Sequence, residues 1–248
     1  MATTPAPVPA ESAQTGTLGR MIGALLNPRS TFEDIVHRPS WVAPIVLLSI
    51  LSLAVTTLFS QRVGWEQFMR KNFEQSPRTA QMTPEQRQQA LDRAVPIAKT
   101  IGYIGATIGY SVIALLLAAI FLGVFNLIAG AGLRYNTSLG IVAHALMPGA
   151  ISGVLAIVLL YLKDPDTIDL EHLVGSNLGT FLGSDTPRWL ITLASSIDLF
   201  AFWIIFLLAT GFSVASPKKV TMGKALGVIV GLWAAYVLVK VGWAAAFS

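Results

Sequence analysis

Long apolar runs alternate with short polar segments over most of this chain. A helix needs about 20 mostly apolar residues to cross the hydrocarbon core of a bilayer. Without water there, each crossing segment must satisfy its own backbone hydrogen bonds, as a helix does. The sequence therefore predicts an all-α integral membrane bundle of five transmembrane helices. The predicted spans are residues 41–60, 101–129, 139–161, 189–215 and 223–247.

The segment before the first span, GRMIGALLNPRSTFEDIVHRPS, has apolar residues at helical spacing and two short helical stretches separated by Asn27-Pro28. Neither stretch is long enough to cross a bilayer. Both fit amphipathic helices that lie in the membrane interface, with Leu25 and Phe32 as interfacial anchors. An ordinary surface loop is the alternative.

Residues 61–100 are polar and predicted to be helical, with Trp65 and Phe68 on one apolar face as further interfacial anchors. TPEQ at 83–86 predicts a helix start, because Thr83 can cap the helix while Gln86 reaches back to it. We expect that helix to continue into the second span, with a kink at Pro96.

The composition agrees with a membrane protein and narrows the function classes. Charged residues make up 12% of the chain, against about 25% in a typical soluble domain. The net charge is +4 and the basic residues are scattered, so a nucleic-acid surface is not expected. Anionic lipid headgroups are the natural counter-charge. Residues 1–18, rich in Pro, Ala and Thr, are predicted to be a disordered tail ahead of a membrane domain at 19–248.

The short loops favour a cytoplasmic N-terminus. With that orientation the inner side carries basic residues in the segments before span one, between spans two and three, and in SPKKV. The long 61–100 loop, which would lie outside, is also basic and opposes that orientation.

Asp198 is an acid inside an otherwise apolar stretch, and it has two readings. In a continuous helix from residue 189 it would lie near the bilayer midplane, where a charge needs a partner. Lys240 is then the candidate partner, because an antiparallel hairpin places both at similar depth. Alternatively, residues 187–194 form a separate interfacial helix, Asp198 lies in the first turn of the true span, and Lys240 snorkels to the interface.

Small residues repeat at four-residue spacing in three of the predicted spans, and this spacing lets helix backbones approach closely. Packing within one bundle and self-association of two chains are both open. Pro148 and Gly149 in HALMPGAISG should kink or break the third span.

No motif predicts catalysis. HExxH, GxSxG, P-loop and Rossmann patterns are absent, and three histidines with one intramembrane acid do not assemble a catalytic set. The prediction is a protein that is not an enzyme, without catalytic residues, cofactor or metal site. A small transporter or channel subunit that uses Asp198 and Lys240 is the alternative function.

Several segments together resemble the bacterial branch of the Yip (Ypt/Rab-interacting protein) family. They are NPRSTFEDI, GLRYNTSLGIVAHALMPGAI, SNLGTFL, SSIDLFAFWIIFLLATGFS and GKALGVIVGLWAAYVLVKVG. The resemblance implies an all-helical bundle with the N-terminus inside, in the bacterial inner membrane. Eukaryotic members are linked to small GTPases and to vesicle trafficking or membrane shaping. Their DLYGPxW-type segment is missing here, and the nearest candidate, DLFAFW, lies in the predicted fourth span, so a small GTPase partner is not carried over.

These observations lead to one functional expectation. We expect a non-enzymatic membrane scaffold that organises or shapes the lipid bilayer, or recruits other membrane proteins, through its interfacial helices.

Overall fold

The computed structural model describes residues 16–74, 79, 81–168, 172–183 and 185–247, and these are mainly α-helical. Residues 1–15 of the predicted tail lie outside the described part, and the first helix already begins at Thr17. The helices are α1 (Thr17–Leu26), α2 (Pro28–His37), α3 (Val42–Arg62), α4 (Trp65–Glu74), α5 (Pro84–Ala129), α6 (Tyr135–Ala145), α7 (Pro148–Leu162), α8 (Arg188–Ser196), α9 (Leu199–Ala215) and α10 (Met222–Phe247).

Four helical stretches of the described chain are long and apolar enough to cross a bilayer. They are α3, α5, the α6–α7 pair and α10. The remaining apolar helix, α9, has 17 residues and is about 25 Å long. The structure thus has the all-α architecture that the sequence predicts, with four candidate spans and shorter apolar helices where five spans were expected.

The fourth predicted span, 189–215, is divided in two. Helix α8 ends at Ser196, Ile197 leaves the helical conformation, and α9 begins at Leu199. The expectation of one continuous span here was wrong. The alternative prediction, a separate short helix before the one that follows Asp198, matches this division. Two details differ: Asp198 is the N-cap and does not lie in the first turn, and α8 begins one residue after Pro187.

Helix α5 shows how strong local signals fix a helix start. Thr83 Oγ1 accepts from the backbone N–H of Gln86, and the Gln86 side chain accepts from the backbone N–H of Thr83, which is the predicted capping box. The helix continues through Pro96 for 46 residues and is about 69 Å long, so its first turns extend beyond the bilayer.

The third predicted span is interrupted at Leu146 and Met147, immediately before Pro148 and Gly149. Helix α6 ends at Ala145, and the next backbone hydrogen bonds, such as Gly149 N–H to Leu146 O at 2.9 Å, have the shorter three-residue spacing. Proline has no N–H to continue the α-helical pattern. Gly149 also lies against Tyr110, whose Oη would be 3.0 Å from a Cβ at this position.

Two apolar clusters hold the helices together. In the larger one, α9 packs on α2, α6 and α10, with Phe32, Phe121, Phe125 and Phe212 at its centre. In the smaller one, α3 and α7 enclose Phe59, Leu160 and Leu173. Because α3 also packs along α5, the two clusters belong to one bundle.

Candidate functional site

Polar residues collect at the two ends of the bundle, and the ends differ in charge. We call residues 16–41, 130–137 and 216–224 the basic end, because they hold seven basic and two acidic residues. Residues 61–100 and 163–188, the neutral end, hold nine of each. The basic residues of the basic end are Arg20, Arg29, Arg38, Arg134, Lys218, Lys219 and Lys224.

Arg20 fixes α1 against the rest of the basic end. Its Nε donates to Asp34 Oδ2 at 2.7 Å, and its Nη1 donates to Arg38 O at 3.0 Å and to Ser40 Oγ at 3.1 Å. Charge-assisted hydrogen bonds of this kind are stronger than neutral ones. The orientation of α1 is therefore set by α2 and by the segment that leads into α3.

Helix α1 presents one apolar face outward. Leu18, Ile22 and Leu26, which we call the α1 stripe, are 65%, 48% and 80% exposed. Their four-residue spacing places them along a single helix face. Met21 and Ala24, on the other side, are buried. The stripe is thus an exposed apolar surface beside a concentration of cations.

The sequence predicted Leu25 and Phe32 as interfacial anchors here, but the structure packs both against the main apolar cluster. Phe32 is 0% exposed in the main cluster, where Gly211 leaves room for its ring: a Cβ at 211 would lie 3.1 Å from Phe32 Cδ1. Leu25 is half-buried against the same cluster. Phe32 is therefore a core residue. On α1, the exposed residue is Leu26, the neighbour of the predicted anchor Leu25.

Trp65 and Phe68 were also expected to anchor in the interface, but both pack within the chain. The Phe59 ring meets Trp65 edge-to-face at 5.3 Å and Phe68 at 5.7 Å between centroids. The Trp65 ring also lies on α5, where a Cβ on Gly102 would overlap its Cη2 atom. These half-buried aromatic residues join α3, α4 and α5 at the neutral end.

Both carboxylate oxygens of Asp198 accept hydrogen bonds from nearby residues. Its Oδ1 accepts from the backbone N–H of Ala201 at 2.9 Å, and its Oδ2 accepts from the hydroxyl of Ser176. It therefore caps the N-terminal end of α9. Lys240 is exposed near Tyr236 and Trp243 on α10. The ion pairs of the described residues are Arg20–Asp34, Arg29–Glu33 and Arg70–Glu66, so the structure does not bring Asp198 and Lys240 together.

The structure gathers two of the quoted motifs, SNLGTFL and SSID, into one cluster that sequence reasoning missed. Leu178 N–H donates to Ile197 O at 3.2 Å and Leu199 N–H donates to Ser176 O at 3.0 Å. His172 Nε2 lies 3.0 Å from Ser195 Oγ. The sequence within each motif gave no hint of this pairing, because 22 residues separate Ser176 from Asp198.

Gly179 shows that this cluster is closely packed. A Cβ there would overlap Ser195 Oγ and would lie 2.7 Å from His172 Nε2. The hydroxyl and imidazole therefore pack directly on the glycine backbone. This arrangement holds the loop before α8 against the start of α9.

At the basic end, a cleft of about 620 Å³ opens between α2 and α6. His37, Arg134 and Tyr135 lie on its polar side, with Val36 and Leu133 among its apolar lining residues. Five cations of this end form no ion pair with another residue that the structure describes: Arg38, Arg134, Lys218, Lys219 and Lys224. This end therefore presents uncompensated positive charge.

The predicted small-residue faces divide into two kinds. Gly149 and Gly153 pack against Leu48 and Leu51 of α3, respectively. A Cβ added to Gly105, Gly109, Gly223, Gly227 or Gly231 would meet nothing within 4 Å of the described chain. Packing inside the bundle thus accounts for the α7 pair, while the α5 and α10 glycines face outward.

Of the comparisons with known proteins, one identifies the family of this chain. No curated protein and no solved structure matches the chain. A Yip1 domain matches residues 22–245, which include every helix from within α1 to α10. The exposed apolar helices and this match together identify a multi-pass membrane protein. The chain belongs to the Yip1 domain family.

Proposed function

We propose that this Yip1-domain protein is a non-enzymatic scaffold that shapes or organises the membrane by inserting the α1 stripe into one leaflet. The observation that carries this proposal is the stripe itself, held outward by the Arg20 network at the basic end. An amphipathic helix that buries an apolar face at the headgroup boundary, next to cations, binds anionic membranes and responds to their curvature.

We further propose that the basic end faces the cytoplasm of a bacterial cell, with the neutral end on the other side of the inner membrane. The unpaired cations near the ends of α5, α9 and α10 support this orientation, because short cytoplasmic loops are enriched in Lys and Arg. The chain has no cysteine, so single cysteines can test it. Ser30→Cys should resist a membrane-impermeant maleimide in intact cells, whereas Gln89→Cys should react. The reverse pattern would contradict the orientation.

Transport through Asp198 and Lys240 is not part of this proposal. A path built on these two residues needs an available carboxylate, whereas both oxygens of Asp198 accept hydrogen bonds from Ser176 and Ala201. Self-association through the outward glycines of α5 and α10 remains compatible with a scaffold.

Reconstitution of the full chain in liposomes tests membrane shaping. The wild-type protein should change the vesicle size distribution relative to protein-free liposomes. Ile22→Glu and Leu26→Glu should abolish the change, because a carboxylate on the stripe opposes burial in an anionic leaflet. Ser30→Glu adds the same charge at an exposed position of α2 and should keep the effect.

Two outcomes would overturn the proposal: wild-type protein without effect on vesicle size, or stripe variants that act like wild type. Reconstituted amounts and helical content must match among the variants, so that loss of effect reports loss of insertion.

A further inference from the structure

A second cavity at the basic end is a groove between the last turns of α5 and the first turns of α10. Its volume is about 410 Å³, within the range of roughly 300–1,000 Å³ found for small-molecule sites. Lys224 is the one charged residue of its lining, and the others are apolar or glycine: Phe125, Ile128, Ala129, Val220, Gly227 and Val228.

The groove is preformed by contacts on both sides. Phe125, at its base, stacks on Phe212 with 4.7 Å between ring centroids. Beyond α5, Ser216 Oγ donates to Ala131 O at 3.2 Å, and the Lys219 ammonium donates to Gly130 O. Gly130 ends α5 with a φ of 57°, a left-handed conformation that glycine adopts readily. The loops that border the groove are therefore fixed to each other.

The groove opens outward, toward the surface that a bilayer covers. Ile128 is 74% exposed, and a Cβ on Gly227 would meet nothing within 4 Å. Lys224 lies in the first turn of α10, which begins at Met222. Val228 lies one turn further along, about 6 Å deeper. A cation thus stands at the end of the bundle above an apolar channel that runs toward the middle of α10.

We propose that this groove binds one anionic phospholipid, with the phosphate at Lys224 and the start of an acyl chain along Val228 and Ile128. Basic pockets between membrane helices recognise anionic headgroups, and an apolar channel beneath the cation accepts the chain that a free phosphate lacks. A second copy of this protein fits less well, because two basic ends would bring like charges together. This lipid site is independent of the scaffold proposal.

Native mass spectrometry of the full chain in detergent tests the site. Phosphatidylglycerol and phosphatidylcholine with identical acyl chains are titrated in parallel, and glycerol 3-phosphate serves as the soluble phosphate. We expect one tightly held phosphatidylglycerol per chain, weaker binding of phosphatidylcholine, and no competition by glycerol 3-phosphate.

Two pairs of variants locate the lipid. Lys224→Gln should weaken phosphatidylglycerol binding about fivefold, whereas Lys218→Gln, outside the groove lining, should change it less than about twofold. Gly227→Leu fills the apolar channel and should weaken binding about tenfold. Gly231→Leu, one turn along with the same open surroundings, is its matched control.

The proposal is overturned by equal binding of the two lipids, by unchanged binding in both Lys224→Gln and Gly227→Leu, or by full competition from glycerol 3-phosphate. A Gly227→Leu variant that loses a dimer while keeping the lipid would assign the groove to a second copy. Because Lys224 is exposed, Lys224→Gln should fold normally. It therefore still tests the site if Gly227→Leu fails to fold.

Discussion

The two ends of this bundle differ in how far their positive charges are balanced by negative ones. At the neutral end, some acidic side chains have local partners: Asp166 Oδ1 accepts from Gln67 at 2.8 Å, and Glu66 pairs with Arg70 at 2.7 Å. Just beyond this end, Asp198 caps α9. At the basic end, only Arg20 and Arg29 have acidic partners within the described chain. The difference lies in the balance of sign: acidic and basic residues are equal in number at the neutral end, whereas the basic end carries seven basic residues against two acidic ones and so leaves cations available for an external anion.

The ends also differ in how they are packed. The main apolar cluster reaches into the basic end through Phe32 and Ile35 of α2. The neutral end combines the smaller cluster around Phe59 with hydrogen-bonded loops. We therefore expect substitutions at the basic end to cost more stability, and the following measurements test that comparison by the free energy of unfolding in mixed detergent micelles.

The largest loss should follow Phe32→Ala. Removing a fully buried ring leaves a cavity between α2 and α9, which should lower the free energy of unfolding by about 3 kcal/mol. Leu26→Ala, on the exposed stripe, should change it by less than about 0.5 kcal/mol. Equal effects of the two variants would mean that α2 is not part of the core.

Arg20→Ala should have the next largest effect, about 2 kcal/mol, because it removes three hydrogen bonds from a charged group. Arg29→Ala removes an exposed pair with a 3.6 Å separation from Glu33 and should cost less than about 0.5 kcal/mol. If Arg29→Ala proved the more damaging variant, the Arg20 network would not be what fixes α1.

Next to the neutral end, Asp198→Ala should cost about 1 kcal/mol through loss of the N-cap. Asp198→Asn should be close to wild type, since asparagine caps equally well. Proton-dependent solute uptake by liposomes that is present in wild type and lost in Asp198→Asn, without loss of stability, would contradict the capping role and favour transport.

The smallest difference is expected between two glycines of α5. Gly102→Ala should be about 0.5–1 kcal/mol less stable than Gly105→Ala, because its methyl group displaces the Trp65 ring while both gain helix propensity. Equal stabilities would show that Trp65 moves aside at no cost and that α4 is loosely attached.

A structural feature could be predicted from the sequence when the residues that cause it lie close together in the chain. The capping box at Thr83 and Gln86 and the break at Pro148 involve residues within one turn of each other, so the sequence alone predicts them. The division of the fourth span was harder, because Asp198 is compatible with both a buried charge and a helix cap. Its partner Ser176 decides the matter and is remote in the chain.

The anchors illustrate the same limit. Helical periodicity gives an apolar face for α1 and α2, but α2 packs that face on other helices, with Phe32 against Gly211 and Ile35 against Gly140. Only the exposed remainder, the α1 stripe, faces outward. Likewise, Trp65 has the composition of an interfacial anchor, but the missing side chain at Gly102 gives its ring a place on α5.

The sequence by itself determined that this chain is an all-helical membrane protein of the Yip1 domain family. Apolar runs of sufficient length must become helices in a medium without water, whatever their neighbours. The tertiary structure alone decided which apolar residues remain exposed, that Asp198 and Lys240 stay apart, and that Lys224 stands above a groove. These outcomes depend on which helices meet, and that is set by packing and hydrogen bonds between residues far apart in the chain.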